Sequence, residues 1–216
     1  MSVVQIGDIR FASDEIFDLA IAWGALGVAF TIFIFVATGR SVFPDIAAAV
    51  FSPLFARVFM ISLLTVGIGF LLHELAHKIV AVRFGQRAAF KADYKMLALC
   101  IGAAFAGFLF AAPGAVYHRG RITLRQNGLV AVAGPLTNIA LVGAFLPLTA
   151  FPGFVGQVGQ LGVLINAFLA AFNMIPFGPL DGKTVISWNK LVFAAVFVGS
   201  VLLAIGSFLF VGFPAF

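Results

Sequence analysis

Between Leu54 and Phe84 the chain is an almost unbroken apolar run, interrupted deep inside by His73-Glu74-Leu75-Ala76-His77-Lys78. About 20 apolar residues in a helix, at 1.5 Å each, cross the hydrocarbon core of a bilayer. Lipid offers no partner to a stray N–H or C=O, so such a run has to be helical. The condition recurs along the whole chain: 62% of its 216 residues are hydrophobic and 10% are charged, against about 25% charged in a soluble domain. The expected fold is an all-α polytopic membrane protein with five to six transmembrane helices, one domain over residues 1–216, and the lipid bilayer as its surroundings. The net charge of +5 comes from basic residues gathered in a few short connections, as the positive-inside bias predicts. It implies no nucleic-acid partner. The single cysteine, Cys100, excludes an intrachain disulfide and reads as a small apolar residue.

Turn and cap signals divide the chain. Val3–Phe11 alternates weakly, as a short strand or interfacial segment does. No basic segment precedes the first apolar run, so a cleaved signal peptide is not expected. Ser13 followed by Asp14 and Glu15 marks a helix start, with a first span over Ile16–Ala37. Phe43-Pro44-Asp45 reads as a turn and Ile46–Phe51 as a short interfacial helix. The second span runs from Leu54 to Phe84, with Gly85 as its C-cap. Further spans are expected over Asn127–Ala150, Val158–Met174 and Leu191–Val211. Residues 86–126 are expected to hold a small extended/β or re-entrant segment. If Met96–Ala112 crossed the membrane, the two most basic connections would lie on opposite sides; if it dips and returns, both lie on the cytosolic side, as charge bias favours.

His73 and His77 stand one turn apart on a single helix face. Two imidazoles so placed can hold one Zn²⁺, with Glu74 near enough to act as general base on a water molecule. In a soluble helix a pair of core histidines would explain the pattern equally well. Inside an apolar span the cost of the polar side chains favours a metal site. At 1.5 Å per residue, His77 and His73 lie about 9 and 15 Å below Arg83, and Lys78 is expected to snorkel to that surface. Catalytic zinc usually takes a third protein ligand. Asp181 follows the Pro- and Gly-broken stretch Asn173–Gly182 and returns to the side of the histidines; its other reading is a turn acid in Leu-Asp-Gly. His118, between Tyr117 and Arg119 and close to Arg121 and Arg125, reads better as a solvated loop histidine than as a ligand. Asn138 and Asn173 are amides within spans and must find partners. These are either other helices or a substrate carbonyl and the oxyanion formed from it.

Taken together, His73–His77, Ala133-Gly134-Pro135-Leu136-Thr137-Asn138 and Asn173–Gly182 (N-x-x-P-x-x-P-x-D-G) resemble the site-2 protease family of intramembrane zinc metalloproteases. The likeness runs from about residue 70 to 185, and the flanking helices fit by hydropathy. It implies His73, His77 and Asp181 as zinc ligands, Glu74 as the catalytic general base, and Asn173 and, more weakly, Asn138 as substrate or oxyanion contacts. Ala76 stands where the family's motif commonly has Gly, a change a helix accepts readily. No PDZ or CBS module accompanies the motifs, which gives the chain the look of a minimal catalytic core.

The expected activity is hydrolysis of a peptide bond within or near the transmembrane segment of a membrane protein substrate, with Zn²⁺ as cofactor. Such a bond is shielded by the i→i−4 hydrogen bonds of its own helix, so the substrate has to unwind locally. Strand-like backbone around residues 86–126 offers an edge for the opened segment. The protein is expected to be a multi-pass protein of the cell membrane, its active site toward the cytosolic side. The competing reading is a metal transporter or non-proteolytic metal-binding membrane protein, in which Glu74 has no catalytic duty. Paired halves common among transporters are not evident in the sequence.

Overall fold

The computed structural model describes residues 3–40, 46–109 and 113–216. The turn expected at Phe43-Pro44-Asp45 and the last three residues of Met96–Ala112 lie outside them. In chain order, a hairpin of β1 (Val3–Ile6) and β2 (Ile9–Ala12) leads into α1 (Ser13–Ala37). After α2 (Ile46–Val50), α3 (Pro53–Ser62) runs through a π-helical turn, Leu63–Gly67, into α4 (Ile68–Arg83). Then come β3 (Arg87–Ala92), α5 (Tyr94–Phe105) and β4 (Gly114–Arg119). Next is α6 (Leu124–Phe145), extended by a 3-10 turn to Ala150, then α7 (Gly153–Asn173), α8 (Asp181–Trp188) and α9 (Lys190–Phe210).

Among the described residues, five helices are long and apolar enough to cross a membrane: Ser13–Ala37, Pro53–Arg83, Leu124–Ala150, Gly153–Asn173 and Lys190–Phe210. The all-α polytopic fold expected from the sequence is what the chain adopts. Their ends follow local chemistry. The Ser52 hydroxyl accepts the Phe55 N–H and Pro53 occupies the first turn of α3, where its missing N–H costs nothing. α6 starts at Leu124, ahead of the expected Asn127, because Thr123 and Gln126 form a reciprocal capping box. Gly85, with φ +76°, closes α4 as expected. The eight-residue α8 was not anticipated. It starts at Asp181, immediately after the proline- and glycine-broken stretch.

The segment around 86–126 turns back on itself. β3 and β4 pair antiparallel from Arg87↔Arg119 to Ala92↔Gly114, and the Asp93 N–H donates to Pro113 O at 3.0 Å. The chain therefore leaves and re-enters at one place. α5 has 12 residues, about 18 Å at 1.5 Å each, which is short of the roughly 30 Å hydrocarbon core. It is the re-entrant, partly extended segment that the charge bias favours.

The largest buried cluster joins α1, α3, α4, α5, β3 and α7, with Leu26, Val58, Ile61 and Leu161 fully enclosed. All of the protein's lysines and arginines except Arg40 and Arg57 lie at the end of the bundle where α4 stops. Arg40 and Arg57 belong to the other end, where Arg40 donates to Phe216 O and Arg57 to Gln157 Oε1. One basic residue departs from expectation. Lys78 does not snorkel; it is 1% exposed, because α1 carries the Glu15 carboxylate to it at 2.6 Å.

Candidate metal centre

α4 and α8 supply the groups that could hold a metal ion. His73 and His77, i and i+4 on α4, turn their Nε2 atoms to the Asp181 carboxylate at the start of α8, at 3.3 and 3.4 Å from Oδ2. The three groups form the one cluster of metal-ligating type found among the described residues, their ligand atoms all within 4.8 Å of one another. With zinc bonds of about 2.0–2.1 Å, adjacent corners of a tetrahedron stand about 3.3 Å apart, so the two histidine–aspartate spacings suit one ion held between them.

The protonation pattern is fixed from behind. His73 Nδ1 lies 2.6 Å from Asn138 Oδ1, and His77 Nδ1 lies 2.8 Å from Val130 O. Both partners are acceptors: the Asn138 amide nitrogen already donates to Gly69 O and to Asn166 Oδ1, which leaves its oxygen for the histidine. Each Nδ1 must therefore carry the proton, and each Nε2 presents a lone pair to the centre. Asp181 Oδ2 faces those lone pairs, buried and without a hydrogen-bond partner. With both imidazoles neutral, three acceptors converge on one point and repel unless a cation lies between them. The donor set fits Zn²⁺.

Two glycines make the close approach possible. A Cβ on Gly134 would stand 2.5 Å from both His73 Nε2 and His77 Nε2. The Ala133–Asn138 segment thus brings α6 backbone, in place of a side chain, against the centre. A Cβ on Gly182 would stand 2.1 Å from Met174 O, so the residue after Asp181 has to be glycine for α8 to tuck against the end of α7.

Glu74 projects into the cavity beside the cluster, and its Oε2 accepts the Val116 N–H of β4 at 3.0 Å. The cavity, about 310 Å³, is bounded by α1, α4, β4, α6, α7 and α8, and its lining includes His73, Glu74, His77, Asn173 and Asp181. The structure thus brings together Glu74, both histidines, Asp181 and Asn173. Asn173 donates one N–H to Leu169 O at 3.0 Å, keeping its second N–H and its oxygen for other partners.

Two expectations change. Asn138 is not placed as a substrate or oxyanion contact. It has no exposed surface and its amide is consumed by His73, Gly69 and Asn166, so it stands behind the ligand. His118 is not a solvated loop residue. It sits half-buried on β4, on the face that lines the cavity. Burial, then the neighbouring His77, hold its pKa below the ordinary imidazole value. It remains outside the ligand cluster. Sequence reasoning passed over Gly134, Asn166 and the Val130 carbonyl. A signal for one of them was present: Asn166, like Asn138, is an amide in a span and needs a partner.

Over 193 residues the chain is 40% identical to "Putative zinc metalloprotease MJ0611" of Methanocaldococcus jannaschii, an alignment covering 87% of this chain and 91% of that protein. Over 144 residues it is 33% identical to "Putative zinc metalloprotease YwhC" of Bacillus subtilis, covering 57% of this chain and 66% of the relative. No family profile and no solved structure matches it.

Proposed function

The chain belongs to the zinc metalloprotease family of these two relatives, and from that membership we propose that it is an intramembrane endopeptidase of the site-2 type. Its substrates on this reading are membrane proteins, cut within or near a transmembrane segment. The observation that carries the proposal is the unsatisfied Asp181 Oδ2 facing two Nε2 lone pairs, with Glu74 in the same cavity.

Zinc held by His73, His77 and Asp181 would polarise the scissile carbonyl and lower the pKa of water at the site. The chain's own groups do the rest. Glu74 takes a proton from the attacking water and passes it to the departing amine as the C–N bond breaks. Asn173 offers its free N–H to the oxygen on which charge develops. Val116 directs its N–H away from β3 to Glu74, so the outer edge of β4 faces the site, where its remaining edge groups can meet an unwound substrate strand. The gathering of basic residues at the site's end of the bundle supports a cytosolic orientation, since Lys and Arg accumulate on that side.

The test is cleavage of a model single-span substrate by the detergent-purified protein. Wild type should cleave it. Glu74→Gln should lose about 10²- to 10⁴-fold in rate while keeping its zinc, and a chelator should abolish cleavage. A wild type that retains zinc across a panel of such substrates yet cuts none would overturn the protease reading in favour of a metal-binding or transport role.

A further inference from the structure

Glu15 and Lys78 form a buried ion pair that the chemistry above does not use. Both are almost fully enclosed, at 4% and 1% exposure. A charge pair so deep in an apolar protein is costly unless every lone pair and proton is satisfied. Here they are. The Lys78 ammonium donates to both Glu15 oxygens at 2.6 Å and to Arg10 O at 2.7 Å, and lies 3.8 Å above the Phe11 ring. Glu15 Oε1 also accepts the Phe90 N–H at 2.9 Å.

These contacts close a ring. Lys78 stands on α4, one turn from Glu74 and therefore on the same face. It holds Glu15 of α1, which holds the backbone of Phe90 on β3. Phe90 pairs directly across the sheet with Val116 of β4. The Val116 N–H holds Glu74, which returns the path to α4. The aromatic contact between Phe70, one turn before Glu74, and Phe90 runs beside it, at 5.7 Å between centroids. Asp18, one turn after Glu15, provides a second peg by accepting the Ala92 N–H at 3.0 Å. The outer edge of β3 is therefore bound by carboxylates of α1, and β4 is left as the edge that meets the site.

We infer that Glu15 is a positioning residue, which sets the β3–β4 sheet against α4 and so fixes the Val116 N–H where it orients the Glu74 carboxylate. The inference rests on the assignment of Glu74 as general base. It separates the pair's two duties: Lys78 neutralises Glu15, and Glu15 anchors the sheet.

The experiment uses full-length protein in detergent and reads zinc content, kcat, KM, and amide hydrogen exchange at Phe90 and Val116. Glu15→Leu with Lys78→Met removes both charges together, so neither is stranded, and also removes the acceptor for Phe90. It should keep zinc, lose about 10- to 100-fold in kcat with little change in KM, and exchange faster at both amides. Glu15→Gln with Lys78→Met keeps a side-chain oxygen for the Phe90 N–H and should restore kcat and protection. Glu15→Asp keeps the charge but shortens its reach; it should fall on the same side as the leucine variant, and serves if that variant does not fold. Wild-type kcat or unchanged exchange at Val116 in Glu15→Leu/Lys78→Met and in Glu15→Asp would overturn the inference. So would a glutamine variant as impaired as the leucine one with zinc intact. Should the wild type cut no substrate, the protease reading fails by itself, and exchange at Phe90 and Val116 still decides whether Glu15 anchors the sheet.

Discussion

Two buried polar clusters grip α4 within a turn of each other, and they differ in what they leave undone. Around Lys78 every charge has its partner: the ammonium meets a carboxylate, a carbonyl and an aromatic face, and the carboxylate meets a backbone N–H as well. Around His73 and His77 the outer side is equally complete, since each Nδ1 is bonded to an oxygen. The inner side is not. Asp181 Oδ2 is buried without a donor, and two imidazole lone pairs face it. A buried acceptor without a donor costs about 1–3 kcal/mol, and more when charged. The closed cluster accounts for itself as structure. The open one calls for a cation, and that difference separates scaffold from site on a single helix.

Removing a ligand should break the comparison most visibly. His77→Ala takes away one of three donors, and the purified protein should lose its zinc and its cleavage activity. The measurements are zinc stoichiometry and turnover of a single-span substrate. With the metal stripped by chelator, the same substitution should cost less stability than breaking the closed cluster, because it removes one hydrogen bond to Val130 O but strands no charge that was paired. Lys78→Met should behave in the opposite way. It strands the Glu15 carboxylate in the interior, at a cost of about 3–5 kcal/mol, visible as a lowered melting temperature with or without zinc. Equal losses of stability from the two variants in metal-free protein would erase the distinction.

Asn138→Ala probes the seam between the two kinds of cluster. It leaves all three ligands in place but frees the His73 ring to turn. Outer partners of metal-bound histidines are worth about 10- to 100-fold in affinity or activity. Zinc affinity should fall within that range, measured by competition with a chromogenic chelator. A full loss of activity with zinc affinity intact would restore Asn138 to a role at the substrate.

How much of this could be read from residues alone depends on distance along the chain. The histidine pair, Glu74 and the broken stretch before Asp181 announce themselves because their geometry is set by helical period and by proline. The spans are legible for a similar reason: lipid forces each apolar run into a helix. What could not be read depends on partners far away. Lys78 reads as free to reach water, yet its partner is Glu15, 63 residues earlier. Asn138 carries the signature of a substrate contact, yet its partner is His73, 65 residues earlier. Gly134 gives no local sign that α6 passes within a methyl group of His73 and His77. α8 was hidden by the turn residues before it, and its eight residues carry little periodicity. The capping box of α6, Thr123-x-x-Gln126, lies just ahead of the hydrophobic run from which the span is read.

The smallest effect belongs to the exposed counterpart of the closed cluster. Asp18 accepts the Ala92 N–H and also a hydrogen bond from the Tyr94 hydroxyl. That bond, with the nearby carboxylate charge, holds the phenol above its ordinary pKa. The sign follows: the folded-state pKa is the higher one, so the contact stabilises the fold while the phenol is protonated and is lost as pH rises through that value. In a Tyr117→Phe background, where Tyr94 is the only tyrosine left, the phenolate absorbance should appear at higher pH than in unfolded chain. Asp18→Asn keeps an oxygen for Ala92 but removes the charge, and should bring the midpoint down. Tyr94→Phe, by contrast, should lower the melting temperature only slightly and leave zinc content and kcat where they are, since the Asp18 carboxylate regains water when the exposed hydroxyl is removed. If Tyr94→Phe lowered kcat while Glu15→Leu/Lys78→Met left it unchanged, the sheet would be held through Asp18 and its exposed partner, and the buried pair would be scaffold alone.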